Sequence, residues 1–315
     1  MEFKPNPKQQ QWLESVCKLL DRQPAVVDSY DAALLEQLTQ EGYFRELASG
    51  GDLLEAVMLV EEVSRRDRLI PVGLHALLVP TLLGSGVKSP VAIARVDSDV
   101  PVRFAAMAKT LILVDGAQSR VYALDPPTAH PVRSNYVYPV ASLPSLASSP
   151  VLATWDSDLV VRRWQLAVTA EMVGAMDSAL KNLVGYMSRR RQFGRPLGAF
   201  QALQHRLAEI AITLESARVL LREAAWHDDG ELAATAANYA AVAARQVCLE
   251  AHQLSGARGF TLEFGLYRAT LRLQLLSLEG GGKAWHAEVA ATRRWGAESA
   301  FCETGHSEAV PIMSL

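Results

Sequence analysis

Three cysteines in 315 residues, Cys17, Cys248 and Cys302, are too few and too scattered for a disulfide framework. Their odd number fits reduced thiols in a cytosolic protein. The seven histidines show no ligand spacing with them, so no metal site is expected. Neither sign of charge dominates: 31 lysines and arginines face 34 aspartates and glutamates, and a net charge of −3 gives no reason to expect a nucleic-acid partner. No run of 18 or more apolar residues occurs, which argues against a membrane span. The opening Met1-Glu-Phe-Lys-Pro-Asn-Pro-Lys is polar and does not read as a secretory signal, so a cytoplasmic location is expected. Residues 87–150 contain no tryptophan; all six lie elsewhere, at 12, 155, 164, 226, 285 and 295. What remains is ordinary globular composition, 50% hydrophobic and 21% charged, in a chain long enough for one to three domains.

The pattern divides the chain into three textures. Residues 1–86 read as an N-terminal helical domain, with apolar positions at helical spacing over Gln9–Leu20, Tyr30–Tyr43, Asp52–Val63 and His75–Leu83. His75 lies in an apolar run and reads as a core histidine. Residues 87–155 read as a shortened β domain. Val91–Val96 is a strand candidate, Thr110–Leu124 a hairpin around Asp115-Gly116, and Val132–Val140 a further strand, with prolines disfavouring helix. Residues 156–302 read as a C-terminal four-helix bundle: Val160–Tyr186, a helix from Gln201 carrying Leu203, Leu207, Ile210, Leu214, Ala217 and Leu221, alanine-rich Ala233–Leu254, and a last helix over Leu262–Ala300 broken at Gly280-Gly-Gly282. Residues 303–315 read as a loose tail. The fold class is mainly α with a small β domain.

Four arginines, 189, 190, 191 and 195, crowd a turn between the first two bundle helices. Charge alone fits either a solvated basic turn or an anion site beside a helix start. The order of residues adds more. Tyr186-x3-Arg190-x2-Phe193-Gly194, followed by Gln201 at a helix start, resembles the acyl-CoA dehydrogenase flavoproteins. A second segment, Gln253-Leu-Ser-Gly256-Ala257-Arg-Gly259-Phe260, is similar to that family's Gln-x-x-Gly-Gly-x-Gly-Phe, with Ala257 in place of the second glycine. Read alone, this segment is equally a helix C-cap at Gly256.

The resemblance implies an α–β–α architecture and FAD as cofactor. It implies that Arg190, Gln192, Phe193, Gln201, Gln253, Gly256 and Ala257 hold the nucleotide end of an FAD belonging to a neighbouring subunit. The implied chemistry is α,β-dehydrogenation of an acyl-CoA thioester. A carboxylate removes the α-proton, hydrogen bonds to the thioester carbonyl stabilise the developing enolate, and the β-hydrogen leaves as hydride to the flavin. In the family the base is commonly a Glu followed by Gly late in the last domain; Glu279 before Gly280 matches, and an ordinary Glu at a glycine hinge is the other reading. The alternative family position, near Trp164, carries no carboxylate, and nothing in the spacing selects Glu171.

The sequence also departs from the family. Between 87 and 150 it shows neither the Gly-Ser-Asp-type segment nor the aromatic-Ile-Ser/Thr-Asn segment that lie beside the flavin ring. This resembles short bacterial members that pair as unequal chains (α2β2) on bulky, steroid-type acyl-CoA thioesters. The resemblance therefore implies a heterotetramer with a related subunit, or a homo-oligomer, passing electrons to an electron-transfer flavoprotein. A non-catalytic, FAD-clamping subunit is the alternative.

Overall fold

The computed structural model describes residues 4–296 except 23–25, 27–28, 49–51, 81–86, 98–99, 125–128, 144–145 and 147–148. Cys302 and the 303–315 stretch lie outside the described residues.

Among the described residues five helices come first: α1 (Pro7–Arg22), α2 (Ala32–Gln40), α3 (Tyr43–Ala48), α4 (Leu53–Arg65) and α5 (Val72–Leu77). Two start at aspartate caps: Asp31 accepts from Leu34 N at 3.1 Å and Asp52 from Leu54 N at 3.1 Å. Such caps satisfy amides that the first turn leaves unpaired. The expected Tyr30–Tyr43 helix is instead α2 and α3, parted by a turn at Glu41-Gly42 where Gly42 takes φ 86°. The expected His75–Leu83 helix is the shorter α5, and residues 81–83 lie outside the described residues. His75 is 3% exposed, 5.6 Å from the Phe44 ring, with Nε2 3.5 Å from Ser89 Oγ.

Among the described residues nine strands follow, in two regions. A four-stranded sheet has the order β1 (Val91–Arg95), β3 (Thr110–Asp115), β4 (Gln118–Ala123), β7 (Val151–Asp156). β1 and β3 run parallel, and the rest of that sheet is antiparallel. The β3–β4 hairpin closes at Asp115↔Gln118 with Gly116 at φ 57°, the positive φ that a tight hairpin turn requires. A second sheet orders β2 (Val102–Arg103), β6 (Val140–Ser142), β5 (His130–Pro131). The expected strand at 132–140 is thus two short strands flanking an irregular stretch, punctuated by Pro131 and Pro139, which cannot donate to a ladder. β8 (Arg191–Gln192) and β9 (Arg195–Pro196) form a separate hairpin between helices.

The remaining helices are α6 (Ser157–Arg189), α7 (Gln201–His227), α8 (Gly230–Ser255), α9 (Leu266–Leu276) and α10 (Gly282–Trp295). The single broken helix expected over 262–300 is α9 and α10. The break is made by Gly280, Gly281 and Gly282 at φ 73°, 116° and 69°, a conformation side chains resist. α6 is the central element. It is buried around most of its circumference in its first two-thirds, where buried apolar residues such as Leu166, Met172 and Val173 alternate with buried Gln165, Thr169 and Glu171. Small residues let its neighbours approach. A Cβ on Gly174 would stand 2.6 Å from Glu61 O of α4, and α8 packs through buried Ala233, Ala236, Ala237, Ala240 and Ala244.

Candidate active site and nucleotide clamp

Two groups of residues on different parts of the molecule correspond to the two halves of the expected chemistry. The first surrounds Glu279. A one-turn 3-10 segment, Glu279–Gly281, follows α9, and its glycines turn the chain sharply before α10. The Glu279 carboxylate is 12% exposed and both its oxygens are engaged. Trp164 Nε1, from α6, donates to Oε1 at 3.1 Å. Arg103 Nε, from β2, lies 2.6 Å from Oε2, an ion pair without hydrogen-bond alignment. Trp164 and Glu279, at the two positions where the resemblance would place a base, are therefore in direct contact.

Arg103 is buried and ligated on its other side. Its Nη1 donates to Glu171 Oε2 at 2.6 Å, and Glu171 Oε1 accepts from Gly73 N at 3.3 Å. Burial alone would lower the Arg103 pKa; Glu171 and Glu279 together hold it above its ordinary value. Burial pushes Glu171 upward against the pull of Arg103. The Arg103 guanidinium also stacks 4.7 Å from the Tyr138 ring. Tyr138 OH in turn accepts from Arg272 Nε at 3.1 Å, and Arg272 Nη1 donates to Ser64 O and Asp67 Oδ1 at 2.8 and 2.7 Å. Charged groups thus run from the Glu279 loop to the end of α4.

Above Glu279 lies a narrow cleft, with a cavity of about 40 Å³, between the β strands and the bundle, lined by Ile93, Arg95, Pro101, Arg103, Trp164 and Glu279 among others. Arg95 closes one wall: Nη1 donates to Gly280 O at 2.9 Å and the guanidinium lies 4.9 Å from the Trp285 ring. Mixed apolar and polar walls around one carboxylate suit a small organic group whose proton that carboxylate could accept. Sequence reasoning named Glu279 as the candidate base and did not select Arg103 or Glu171. Arg103 sits in a two-residue strand and Glu171 mid-helix, so no local spacing marks them.

The second group lies at the surface. Arg190 caps α6, its N–H donating to Tyr186 O at 2.9 Å. Gln192 and Arg195 pair across the β8–β9 hairpin, and Phe193-Gly194 form its tip at φ 52° and 80°. Both positive φ values match a two-residue hairpin turn, and Phe193 is 89% exposed. Gln201 opens α7. Gln253 is exposed near the end of α8, and Gly256, at φ 58°, lies just past it with open space where a Cβ would stand. Ala257 is not in a positive-φ conformation, so the departure from glycine there adds no backbone strain. The segments meet through Arg258, whose guanidinium lies 5.8 Å from both the Tyr186 and Phe264 rings. Phe260, 72% exposed, stacks on His252 at 4.6 Å and 24°.

Exposed arginine, amide side chains, a glycine turn and exposed aromatic rings fit the nucleotide end of FAD: cations and amides for phosphate, ring faces for the base. Among the described residues no hydrogen bond or ion pair joins Glu279 to this clamp.

Residues 157–294 match the family model for the acyl-CoA dehydrogenase C-terminal domain. Among curated proteins, a probable acyl-CoA dehydrogenase of Bacillus subtilis is 32% identical over 122 residues, covering 37% of this chain and 32% of that protein. Acyl-CoA dehydrogenase IpdE2 of Mycobacterium tuberculosis is 36% identical over 102 residues, 32% of each chain. The matched stretch thus spans about a third of these relatives' length. Solved structures share the whole fold. Butyryl-CoA dehydrogenase from Megasphaera elsdenii superposes with TM-score 0.72 at 19% identity, covering 93% of this chain and 100% of that one. The ChsE4–ChsE5 complex from Mycobacterium tuberculosis gives TM-score 0.66 at 20% identity, covering 96% and 100%. The chain has the acyl-CoA dehydrogenase fold, and its residues 157–294 are an acyl-CoA dehydrogenase C-terminal domain.

Proposed function

We propose that this chain is a subunit of an FAD-dependent acyl-CoA dehydrogenase acting on a bulky, steroid-type acyl-CoA thioester in complex with a related subunit. The observation that carries this reading is Phe193: a large apolar ring in the left-handed region, 89% exposed at a hairpin tip beside Arg190 and Gln192. Such a placement costs free energy in an isolated chain and is explained when a ligand or partner covers it. Gly256 and Phe260 add open glycine backbone and a second exposed ring on the same end of the bundle. Further apolar surface awaits a partner on α7, where Ile212 is 66% and Val219 48% exposed, and on α8, where Leu249 is 61% exposed.

Within this reading the clamp residues hold the pyrophosphate and adenine end of a cofactor whose ring is completed by the partner. Glu279 accepts the α-proton of the thioester as the electron pair moves to the enolate. Trp164 and Arg103 hold the carboxylate at the cleft, and the apolar walls of Ile93, Pro101 and Trp164 exclude water. When bound, FAD supplies the two-electron redox chemistry. Reoxidation by an electron-transfer flavoprotein belongs to the same proposal.

A second reading is favoured by one observation, the engagement of both Glu279 oxygens: the chain lends its clamp to a partner whose own base does the chemistry. Co-expression with the genomic neighbour, followed by flavin spectra and anaerobic thioester bleaching, tests both. Yellow protein only on co-expression supports the heteromer, whereas flavin retained by this chain alone opposes it. Bleaching that survives Glu279→Gln assigns the base to the partner.

A further inference from the structure

Glu279 is held by residues from two separate parts of the fold, α6 and β2. Trp164 belongs to α6, Arg103 to β2, and the Glu171 that fixes Arg103 lies two turns further along the same face of α6. Glu171 is anchored by the backbone of Gly73 in α5, and a Cβ on Gly73 would stand 2.7 Å from Glu171 Oε1. The order of contacts is Gly73 N–H, Glu171, Arg103, Glu279, Trp164 N–H. Glu171, Arg103 and Glu279 have side chains only 1%, 7% and 12% exposed, so water competes weakly for these contacts.

The backbone next to Arg103 is also constrained. Phe104 takes φ 61°, a conformation a bulky residue adopts only when its surroundings impose it. Phe104 is 1% exposed, its N–H donates to Pro139 O at 2.8 Å, and its ring lies edge-on to Tyr30 and Tyr138. The chain therefore turns sharply just after Arg103, and the guanidinium is directed between the two carboxylates.

We propose that Arg103 is the positioning residue of the Glu279 carboxylate, with buried Glu171 setting the arginine from behind. This rests on the reading of Glu279 as the residue that meets the thioester. Arg103 and Trp164 each occupy one oxygen, which fixes both the rotamer and the plane of the carboxylate at the floor of the cleft. The docking of α5 on α6, through Gly73 and Glu171, is thereby coupled to the geometry at Glu279. The other charged or titratable groups packed around the site are Arg95, which takes Gly280 O, Tyr138 against the guanidinium, and His286, buried behind the glycine turn.

The test uses the Trp164 indole N–H, which reports whether Glu279 remains in place. Full-length chain carrying 15N-labelled tryptophan is studied by NMR, with Trp164→Phe identifying the Trp164 peak. In Glu279→Gln that peak should move, since its acceptor changes from carboxylate to amide. In Arg103→Gln it should move or broaden likewise, with the other five indole peaks in place. Arg103→Lys should restore a single peak near the wild-type position, and Glu171→Gln should give an intermediate shift. An unmoved Trp164 peak in Arg103→Gln, with a moved one in Glu279→Gln, overturns the role of Arg103. Should Arg103→Gln fail to fold, Glu171→Gln and Arg103→Lys decide: an unmoved peak in both also overturns it. Catalytic failure of the reconstituted complex would instead refute the functional reading and leave these spectra unchanged.

Discussion

Trp164 and Glu279 are 115 positions apart in sequence and 3.1 Å apart in space, joined by an indole N–H donated to a carboxylate oxygen. One comes from the start of the long central helix, the other from the glycine turn after α9. Their contact, with Arg103 on the second oxygen, makes the floor of the cleft a product of tertiary packing.

The first prediction concerns chemistry. In the reconstituted complex, Glu279→Gln keeps nearly the same shape while losing the ability to accept a proton. Thioester-dependent bleaching of the flavin should fall by at least 100-fold, the lower end of what a positioned base supplies. Bound flavin per complex, read from the absorbance ratio, should be unchanged.

The clamp can be weakened without unfolding the chain, because its side chains are exposed. Arg190→Ala should lower FAD retention by about tenfold or more, since a hydrogen bond to a charged group contributes roughly 1.5–3 kcal/mol. Phe193→Ala should act in the same direction. Melting temperatures of the isolated chain should stay within a degree of wild type, and flavin loss during gel filtration of the complex measures the effect.

Arg272 presents the opposite case. It is 1% exposed and bonded to Ser64 O, Asp67 and Tyr138. Arg272→Leu leaves these acceptors buried without their donor, a change that costs about 3 kcal/mol or more. Urea unfolding should show a midpoint lowered accordingly.

Acid stability follows from the buried histidines. His75 and His286 are pushed down to about 4 by burial, with Arg95 adding to the effect at His286. Unfolded histidine titrates near 6.5, so between about pH 6.5 and 4 the unfolded chain binds more protons and stability falls as pH falls. Glu61 and Glu171, raised by burial, work in the other direction. The histidine contribution is isolated by comparing wild type with His75→Gln. The slope of unfolding free energy between pH 6 and 4.5 should be flatter in the variant by up to about 1.4 kcal/mol per pH unit.

Much of the architecture was legible because it depends on local pattern. The spacing of Leu203, Leu207, Ile210 and Leu214 marks α7, Asp115-Gly116 marks the β3–β4 hairpin, and the triple glycine marks the break before α10. The proposed clamp could be named from sequence because its residues lie in two continuous segments. Arg103 and Glu171 could not be: neither has a distinctive neighbour in sequence, and their role exists only after β2, α5 and α6 have packed. The two short strands around 132–139 escaped notice for a related reason. Prolines and apolar residues there satisfy a β-rich composition, while ladder pairing is limited to two pairs between β5 and β6 and two between β6 and β2.

The three glycines after Glu279 carry a last consequence. Glycine loses more backbone freedom on ordering than any other residue, and this turn orders three in succession at positive φ. The loop is therefore intrinsically inclined to open. What closes it is the carboxylate at its head, gripped by Trp164 and Arg103, together with Arg95 on Gly280 O. Glu279 is as much the fastener of the loop as its cargo. A ligand that draws Glu279 away from Arg103 would also release the backbone that carries it, and amide exchange at Gly280–Gly282 should quicken in Arg103→Gln ahead of any global unfolding.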